Sequence, residues 1–240
     1  MSDDLLPMPG DWTRGLAVAA HPDDMEFGAA GAVVAWTTAG KTMSYLLVSR
    51  GEAGIDDLPP AEAAKVREQE QRASAAIAGV AEVEFLDYPD GVIEYGVRLR
   101  RDLAAAIRRY RPEMLIGFNH RELTFTGKRN SPDHRNTGRA LLDAVGDAAN
   151  RWIFPGPGEA AAEPWRVRHV AIAGSPQPTH AVDISATVDT AVASVEAHAA
   201  YLRALGVPPG GARGPLEAFA AATGKRFGGR PAISFELIPA

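Results

Sequence analysis

The chain has 240 residues, 46% of them hydrophobic, and a formal net charge of −5. This length and composition predict one large domain over residues 1–240 with a full apolar core. The mild acidity excludes the basic footprint of a nucleic-acid-binding protein, and the absence of cysteine excludes disulfides and thiolate metal sites.

Short apolar runs alternate with longer amphipathic segments along the chain. The runs predict strands and the segments predict helices. This alternation is typical of an α/β fold with a Rossmann-like, doubly wound, mostly parallel sheet and helices on both faces. The Gly- and Pro-rich segment 155–164 predicts a surface loop. The predicted strands cover residues 16–20, 43–48, 83–86, 114–118, 170–173, 181–184 and 232–238, and the predicted helices cover residues 28–38, 61–79, 97–110, 132–149, 187–205 and 216–223.

The turn after the first predicted strand carries a histidine and three carboxylates. Its sequence is His21-Pro22-Asp23-Asp24-Met25-Glu26. Ligands of open α/β sheets bind at the carboxyl ends of the strands, where this turn lies. One aspartate here would be equally well explained as a helix cap, but several carboxylates after a buried strand need a compensating cation. Because Pro22 stiffens the turn, His21 and Asp24 are expected to converge as two zinc ligands.

His134 is the candidate for the third zinc ligand. It follows a Ser-Pro pair that is typical of a helix start, in the segment after the fourth predicted strand. Alone, such a histidine is more often solvated than bound to metal. Together with His21 and Asp24 it would leave one zinc position open for water. Asp23 lies beside a ligand without being needed as one, so it is the candidate general base.

A dinucleotide-binding dehydrogenase is the main rival on such a sheet. Its first strand-to-helix turn would carry Gly-x-Gly-x-x-Gly. The carboxylates that occupy this turn here would repel a pyrophosphate, so we reject that function.

The chain resembles the PIG-L/LmbE-type zinc N-deacetylases in three motifs, which occur in the order typical of that family. The first motif is specific and the other two are weak alone; the resemblance covers residues 16–195. The motifs are Ala20-His21-Pro22-Asp23-Asp24-Met25-Glu26-Phe27-Gly28, then Arg50-Gly51-Glu52, then Pro132-Asp133-His134-Arg135.

The resemblance implies a Rossmann-like fold and hydrolysis of an N-acetyl group from an N-acetylglucosamine-type sugar or conjugate. It implies one Zn²⁺ per chain, held by His21, Asp24 and His134. It also implies that Asp23 acts as general base. Arg50 and Asp133 are expected to contact the substrate.

The chain departs from the family pattern at Ser131. Many members have a histidine three residues before the third ligand, where it assists the oxyanion or the leaving amine. The general acid therefore stays open. His120, in the loop after the fourth predicted strand, is the candidate catalytic residue, although a lone histidine is more often structural. His180 and a protonated Asp23 are the alternatives.

Two other functions stay open from the sequence. One is an amidase of the same fold that cleaves a larger amide, such as a thiol conjugate. The other is a non-catalytic carbohydrate-binding protein, which Asp23 argues against because binding alone needs no base. We expect a small amino-sugar substrate, no nucleic acid and no membrane partner, and leave a homo-oligomer open. Residues 1–12 lack the features of a signal peptide, which predicts a cytoplasmic location.

Overall fold

The computed structural model describes residues 4–155 and 163–239, so most of the predicted loop 155–164 lies outside the described residues. The described residues form one eight-stranded sheet with the order β1-β7-β8-β6-β5-β2-β3-β4. The strands are β1 Leu6–Pro7, β2 Arg14–Ala19, β3 Thr42–Leu47, β4 Glu82–Phe85, β5 Met114–Phe118, β6 His169–Ala173, β7 His180–Asp183 and β8 Ala232–Ile238. The helices are α1 Asp24–Thr38, α2 Pro60–Ile77, α3 Val97–Tyr110, α4 Pro132–Ala149, α5 Val188–Glu196, α6 Ala199–Ala204 and α7 Arg213–Gly224.

The sheet is mostly parallel. Strand β8 is antiparallel to both of its neighbours, β6 and β7, and the other neighbouring pairs are parallel. This confirms the predicted Rossmann-like α/β fold. None of the helices within the described ranges is long and apolar enough to cross a bilayer.

Apolar layers cover both faces of the sheet, and β2 shows how the sequence produces them. Successive strand residues point to opposite faces. Leu16 and Val18 therefore pack in the layer beneath α3 and α4. Ala17 and Ala19 pack in the opposite layer, with α1 and α7. The small alanines face the helix that follows β2 directly, which lets α1 lie close to the strand ends.

The prediction of one continuous helix over residues 187–205 was wrong, because the structure has two helices there, α5 and α6. The chain leaves helical geometry at His198, where φ is −82° and ψ is 48°. This break buries the His198 ring completely, with Nε2 3.7 Å from an oxygen of Glu26. The spacing of apolar residues predicts that such a segment is helical. It gives no information on a tertiary contact that interrupts the helix.

The central strands bring three loops to one edge of the sheet. β2 lies between β3 and β5 and is parallel to both. The carboxyl ends of these strands lead into the turn at His21, the segment at Arg50 and the loop that begins at Asn119. The residues singled out from the sequence are therefore concentrated at this edge, as Rossmann-like topology requires.

We expect Leu103→Ala to lower the free energy of unfolding by about 2–5 kcal/mol, because Leu103 is completely buried between α3 and the sheet. Urea denaturation measures this loss. Leu205→Ala is the matched control, since Leu205 is 53% exposed and its truncation should cost roughly 0.5 kcal/mol or less. Equal losses in the two variants would contradict the core assignment.

Candidate metal centre

Three side chains from two loops meet at the edge of the sheet. His21 follows β2, Asp24 begins α1, and His134 lies in the first turn of α4. His134 Nε2 lies 3.2 Å from His21 Nδ1 and 2.9 Å from Asp24 Oδ1, and His21 Nδ1 lies 3.6 Å from Asp24 Oδ2. Bonds of about 2.0–2.1 Å in tetrahedral geometry place zinc ligand atoms roughly 3.3 Å apart. The spacing of the three donors therefore fits one zinc ion.

The hydrogen bonds of His134 determine which of its nitrogens is free. Nδ1 lies 3.0 Å from Asn130 Oδ1. The amide of Asn130 cannot be reversed, because its Nδ2 donates to the carbonyls of Asn119 and Arg121 and its Oδ1 accepts from Ser131 N. His134 Nδ1 must therefore donate. In the neutral ring Nε2 then carries a lone pair directed into the cluster.

His21 is held in the same way by buried carboxylates. Its Nε2 lies 3.1 Å from Asp133 Oδ2 and 3.0 Å from Asp90 Oδ1, so this nitrogen donates. Asp133 is 1% exposed and also accepts from the backbone N–H groups of Gly91 and Ile93. The lone pair of a neutral His21 thus lies on Nδ1, facing that of His134. Two lone pairs at 3.2 Å repel each other unless a cation lies between them, so the donor set fits a divalent metal.

The charges of the cluster stabilise one another. Burial would raise the pKa of Asp24, but His134 and His21 hold this pKa well below its usual range. Burial would lower the pKa of His21, but hydrogen bonds to Asp133, Asp24 and Asp90 raise it well above its usual value. The site is therefore built around a positive charge that a metal ion can supply.

Asp23 lies beside the cluster in an unusual backbone conformation. Its φ is 85°, in the left-handed region, and its N–H donates to Gln71 Oε1. Its Oδ1 accepts a 2.9 Å hydrogen bond from Arg67 Nη2. Burial raises the pKa of Asp23 to about 7, although Arg67 opposes the shift. This conformation places the carboxylate on the wall of the cavity that contains the cluster, which is lined by His21, Asp23, Asp24, Phe27, Phe118, Ser131, His134 and Tyr201.

Arg67 and Tyr201 are site residues that sequence reasoning missed. Arg67 is 2% exposed and donates to the backbone carbonyls of Pro22 and Gly51, so it joins the turns that follow β2 and β3. Its guanidinium carbon lies 3.7 Å from the ring centroid of Tyr201. The periodicity of α2 contained a signal for Arg67, because it shares the buried i, i+4 positions with Ala63. No local signal pointed to Tyr201.

Two residues predicted to contact substrate lie outside this cavity. Arg50 bonds to Glu68 and Asp87 and lines a neighbouring polar cavity with Glu52. Its predicted contact with substrate stays a prediction. Asp133 lies behind the ring of His21 rather than on the cavity wall, and we propose that it orients a metal ligand.

The histidines considered as general acid are not in the wall either. His120 packs beside Gly138 of α4, and its buried Nδ1 has no hydrogen-bond partner among the described residues. Burial and the charge of Arg121 lower the pKa of His120. His180 lies on β7 with its Nδ1 at Thr179. The role predicted for His120 stays a prediction.

The sequence profile of the family described as "PIG-L: GlcNAc-PI de-N-acetylase" matches residues 16–145. The matched segment contains His21, Asp23, Asp24 and His134. It also contains Arg67, which the three sequence motifs do not include.

Proteins with similar sequences carry deacetylase names. Diacetylchitobiose deacetylase of Thermococcus kodakarensis is 28% identical over 190 residues, which cover 78% of this chain and 70% of that protein. A probable N-acetyl-alpha-D-glucosaminyl L-malate deacetylase 2 of Bacillus anthracis is 28% identical over 137 residues, 54% of this chain and 58% of that protein. Among solved structures, N,N'-diacetylchitobiose deacetylase of Pyrococcus horikoshii, complexed with its inhibitor MPG, superposes with a TM-score of 0.86 at 22% identity, covering 95% of this chain and 85% of that chain.

We expect His134→Ala to bind zinc much more weakly than the unaltered protein, because it removes one of three donors. Metal analysis after dialysis against limiting free zinc measures the loss. His169→Ala is the matched control, since His169 bonds to the exposed Asp11 away from the cluster. Full zinc occupancy in His134→Ala would overturn the ligand assignment.

Asp133→Asn should lower zinc affinity by about 10–100-fold, because the partner of a ligating imidazole fixes its orientation and basicity. Competition with a chromophoric chelator measures the affinity, and thermal unfolding checks the fold. A raised KM with unchanged zinc affinity would instead support the substrate contact predicted from the sequence.

Proposed function

The chain belongs to the PIG-L family, whose profile matches more than half of it, and from that premise we propose that it is a zinc-dependent N-deacetylase. The substrate would be an N-acetylglucosamine-type sugar or conjugate. The observation that carries this proposal is the convergence of His21, Asp24 and His134 in one cavity with the carboxylate of Asp23. The names of the two relatives, which refer to N-acetylated glucosamine compounds, support the substrate class.

His21 Nδ1, the Asp24 carboxylate and His134 Nε2 would hold the zinc ion. When bound, zinc lowers the pKa of a water molecule and polarises a carbonyl oxygen. Asp23 takes the proton of the attacking water. Arg67 holds Oδ1 of Asp23, whereas Oδ2 accepts no hydrogen bond from the described residues. We therefore assign proton transfer to Oδ2.

The amide nitrogen needs a proton before it can leave as an amine. Three proton donors were considered from the sequence. Of these, Asp23 lies in the cavity wall, whereas His120 and His180 do not. We propose that Asp23 returns the proton it has taken. Ser131 and Tyr201 line the same wall and are the proposed residues for orienting the reacting amide.

The sugar is proposed to extend towards the polar cavity at Arg50. Glu52, in the wall of that cavity, accepts a hydrogen bond from the backbone N–H of Asp90, whose carboxylate contacts His21. Asp90 thus contacts both Glu52, in the wall of the polar cavity, and His21, in the cluster of proposed metal ligands. The charged groups of the polar cavity suit the hydroxyls of a sugar.

Acetate release from N-acetylglucosamine and diacetylchitobiose tests the proposal. We expect release that stops after chelation and returns with added zinc. Cleavage confined to a larger amide, such as a thiol conjugate, would favour the amidase alternative. Sugar binding without release from zinc-loaded protein would favour the carbohydrate-binding alternative.

Asp23→Asn should retain zinc and lower kcat by about 10²–10⁴-fold, the range that a positioned general base contributes. Steady-state kinetics and metal analysis measure both quantities. His120→Ala is the comparison variant, and its kcat should be nearly unchanged if Asp23 returns the proton alone. A large loss of kcat in His120→Ala, with removal of the basic limb of the pH profile, would instead support the role predicted for His120 as general acid.

A further inference from the structure

A second cavity, of about 360 Å³, adjoins the cavity that contains His21, Asp24 and His134. Phe27 and Phe118 line both cavities, so their rings form the boundary between them. The rest of the second wall is mostly apolar and comes largely from α1 and from the region of α5, α6 and α7. It includes Leu202, Leu216 and Phe219. We call this space the apolar cavity.

Glu26 is the one titratable group that the described residues contribute to this wall. Its Oε1 accepts a hydrogen bond from Gln71 Nε2, whereas its Oε2 has no hydrogen-bond partner among the described residues and lies 3.7 Å from His198 Nε2. One carboxylate oxygen can satisfy at most a small part of a sugar's hydrogen-bonding groups. A sugar in the apolar cavity would leave several hydroxyls without hydrogen-bond partners, which is costly. An alkyl chain there would gain free energy from leaving water.

The two sides of the metal cluster are therefore different in chemistry. The Arg50 cavity, joined to His21 through Asp90 and Glu52, carries three charged side chains, Arg50, Glu52 and Asp87. The apolar cavity shares Phe27 and Phe118 with the cavity of the His21, Asp24 and His134 cluster, and Glu26 is the one charged residue that the described residues contribute to it. An amide at the cluster has a sugar on its nitrogen and an acyl group on its carbonyl carbon. The polar side suits the sugar, so the apolar side is left for the acyl group.

We propose that the apolar cavity is a subsite for the acyl chain, and that the protein hydrolyses N-acyl amino sugars with chains longer than acetyl. This rests on the proposed function, because it requires the scissile carbonyl to lie at His21, Asp24 and His134. An acetyl group offers a single methyl, whereas the cavity volume lies in the range of about 300–1,000 Å³ typical of small-molecule sites. Hydrolysis breaks the C–N bond, joins the water oxygen to the acyl carbon and transfers a proton to nitrogen. The products are a free amino sugar and a carboxylate.

An aromatic pair lines part of the cavity wall. Phe125, in the loop after β5, lies 5.0 Å from Phe219 of α7 between ring centroids, and Phe125 is largely exposed. Because the cavity volume is finite, the gain from added methylenes should reach a limit.

The test is the ratio of kcat/KM for N-butanoyl- and N-hexanoylglucosamine to that for N-acetylglucosamine. We expect the ratio to rise by up to about fourfold per methylene, the value of one buried CH₂, until the cavity is filled. Leu216→Trp fills the cavity and should lower the ratio. Leu216→Ala enlarges it and should move the optimum to longer chains. Leu205→Trp, at an exposed position outside the wall, is the matched control and should leave the ratio unchanged.

A ratio that falls with chain length in the unaltered protein, with acetate still released, would overturn the subsite and leave the proposed function standing. A gain seen only with alkyl glycosides of N-acetylglucosamine, which carry the chain on the sugar, would also overturn it. Calorimetry of Asp23→Asn with N-hexanoyl- and N-acetylglucosamine separates binding from cleavage. Tighter binding of the hexanoyl compound that Leu216→Trp abolishes would support the subsite even if no amide were hydrolysed.

Discussion

The edge of the sheet depends on the compensation of buried negative charge. Asp23, Asp24, Glu26 and Asp133 are all removed from water within a small volume, and an unpaired carboxylate in such surroundings is strongly unfavourable. Each has a different partner. Asp24 faces two imidazoles, Asp23 faces the guanidinium of Arg67, Glu26 faces an amide, and Asp133 is bonded to backbone N–H groups and His21. The positions of these four side chains are therefore set by the requirement that each buried carboxylate has a compensating partner.

Part of this arrangement could be predicted from the sequence, because some of its residues are close together in the chain. His21 and Asp24 share one turn, and the apolar run before them predicted the strand that delivers it. His134 could be inferred because another strand and helix start lead to the same edge. The remaining partners depend on tertiary contacts. Asn130 and Arg67 reach the site from other elements, and nothing in their own segments shows which atom they contact.

Asp133 shows a different limit of sequence reasoning. Its position beside His134 marks it as part of the site, but a helix start turns adjacent side chains in different directions. His134 faces the cavity, whereas Asp133 reaches behind His21. The motif therefore indicated which region of the structure each residue occupies. Only the side-chain directions distinguished the proposed ligand, His134, from the residue proposed to orient a ligand, Asp133. The family match, which ends at residue 145, also omits α5, α6 and α7, so the part of the apolar cavity's wall that these helices form lies outside the matched segment.

The left-handed backbone of Asp23 links stability and activity at one position. A non-glycine residue in this region is strained by about 1 kcal/mol or more, and the strain here holds a carboxylate against the metal cluster. Glycine adopts the same φ without that penalty, but a glycine at 23 would leave the buried guanidinium of Arg67 without its carboxylate partner. Breaking such a buried pair costs about 3–5 kcal/mol, more than the strain that would be relieved. The strain at position 23 is therefore retained by the same ion pair that positions the proposed general base. Engineering of this scaffold for stability should hold position 23 constant and seek its gains at α3, which packs on the face of the sheet opposite α1.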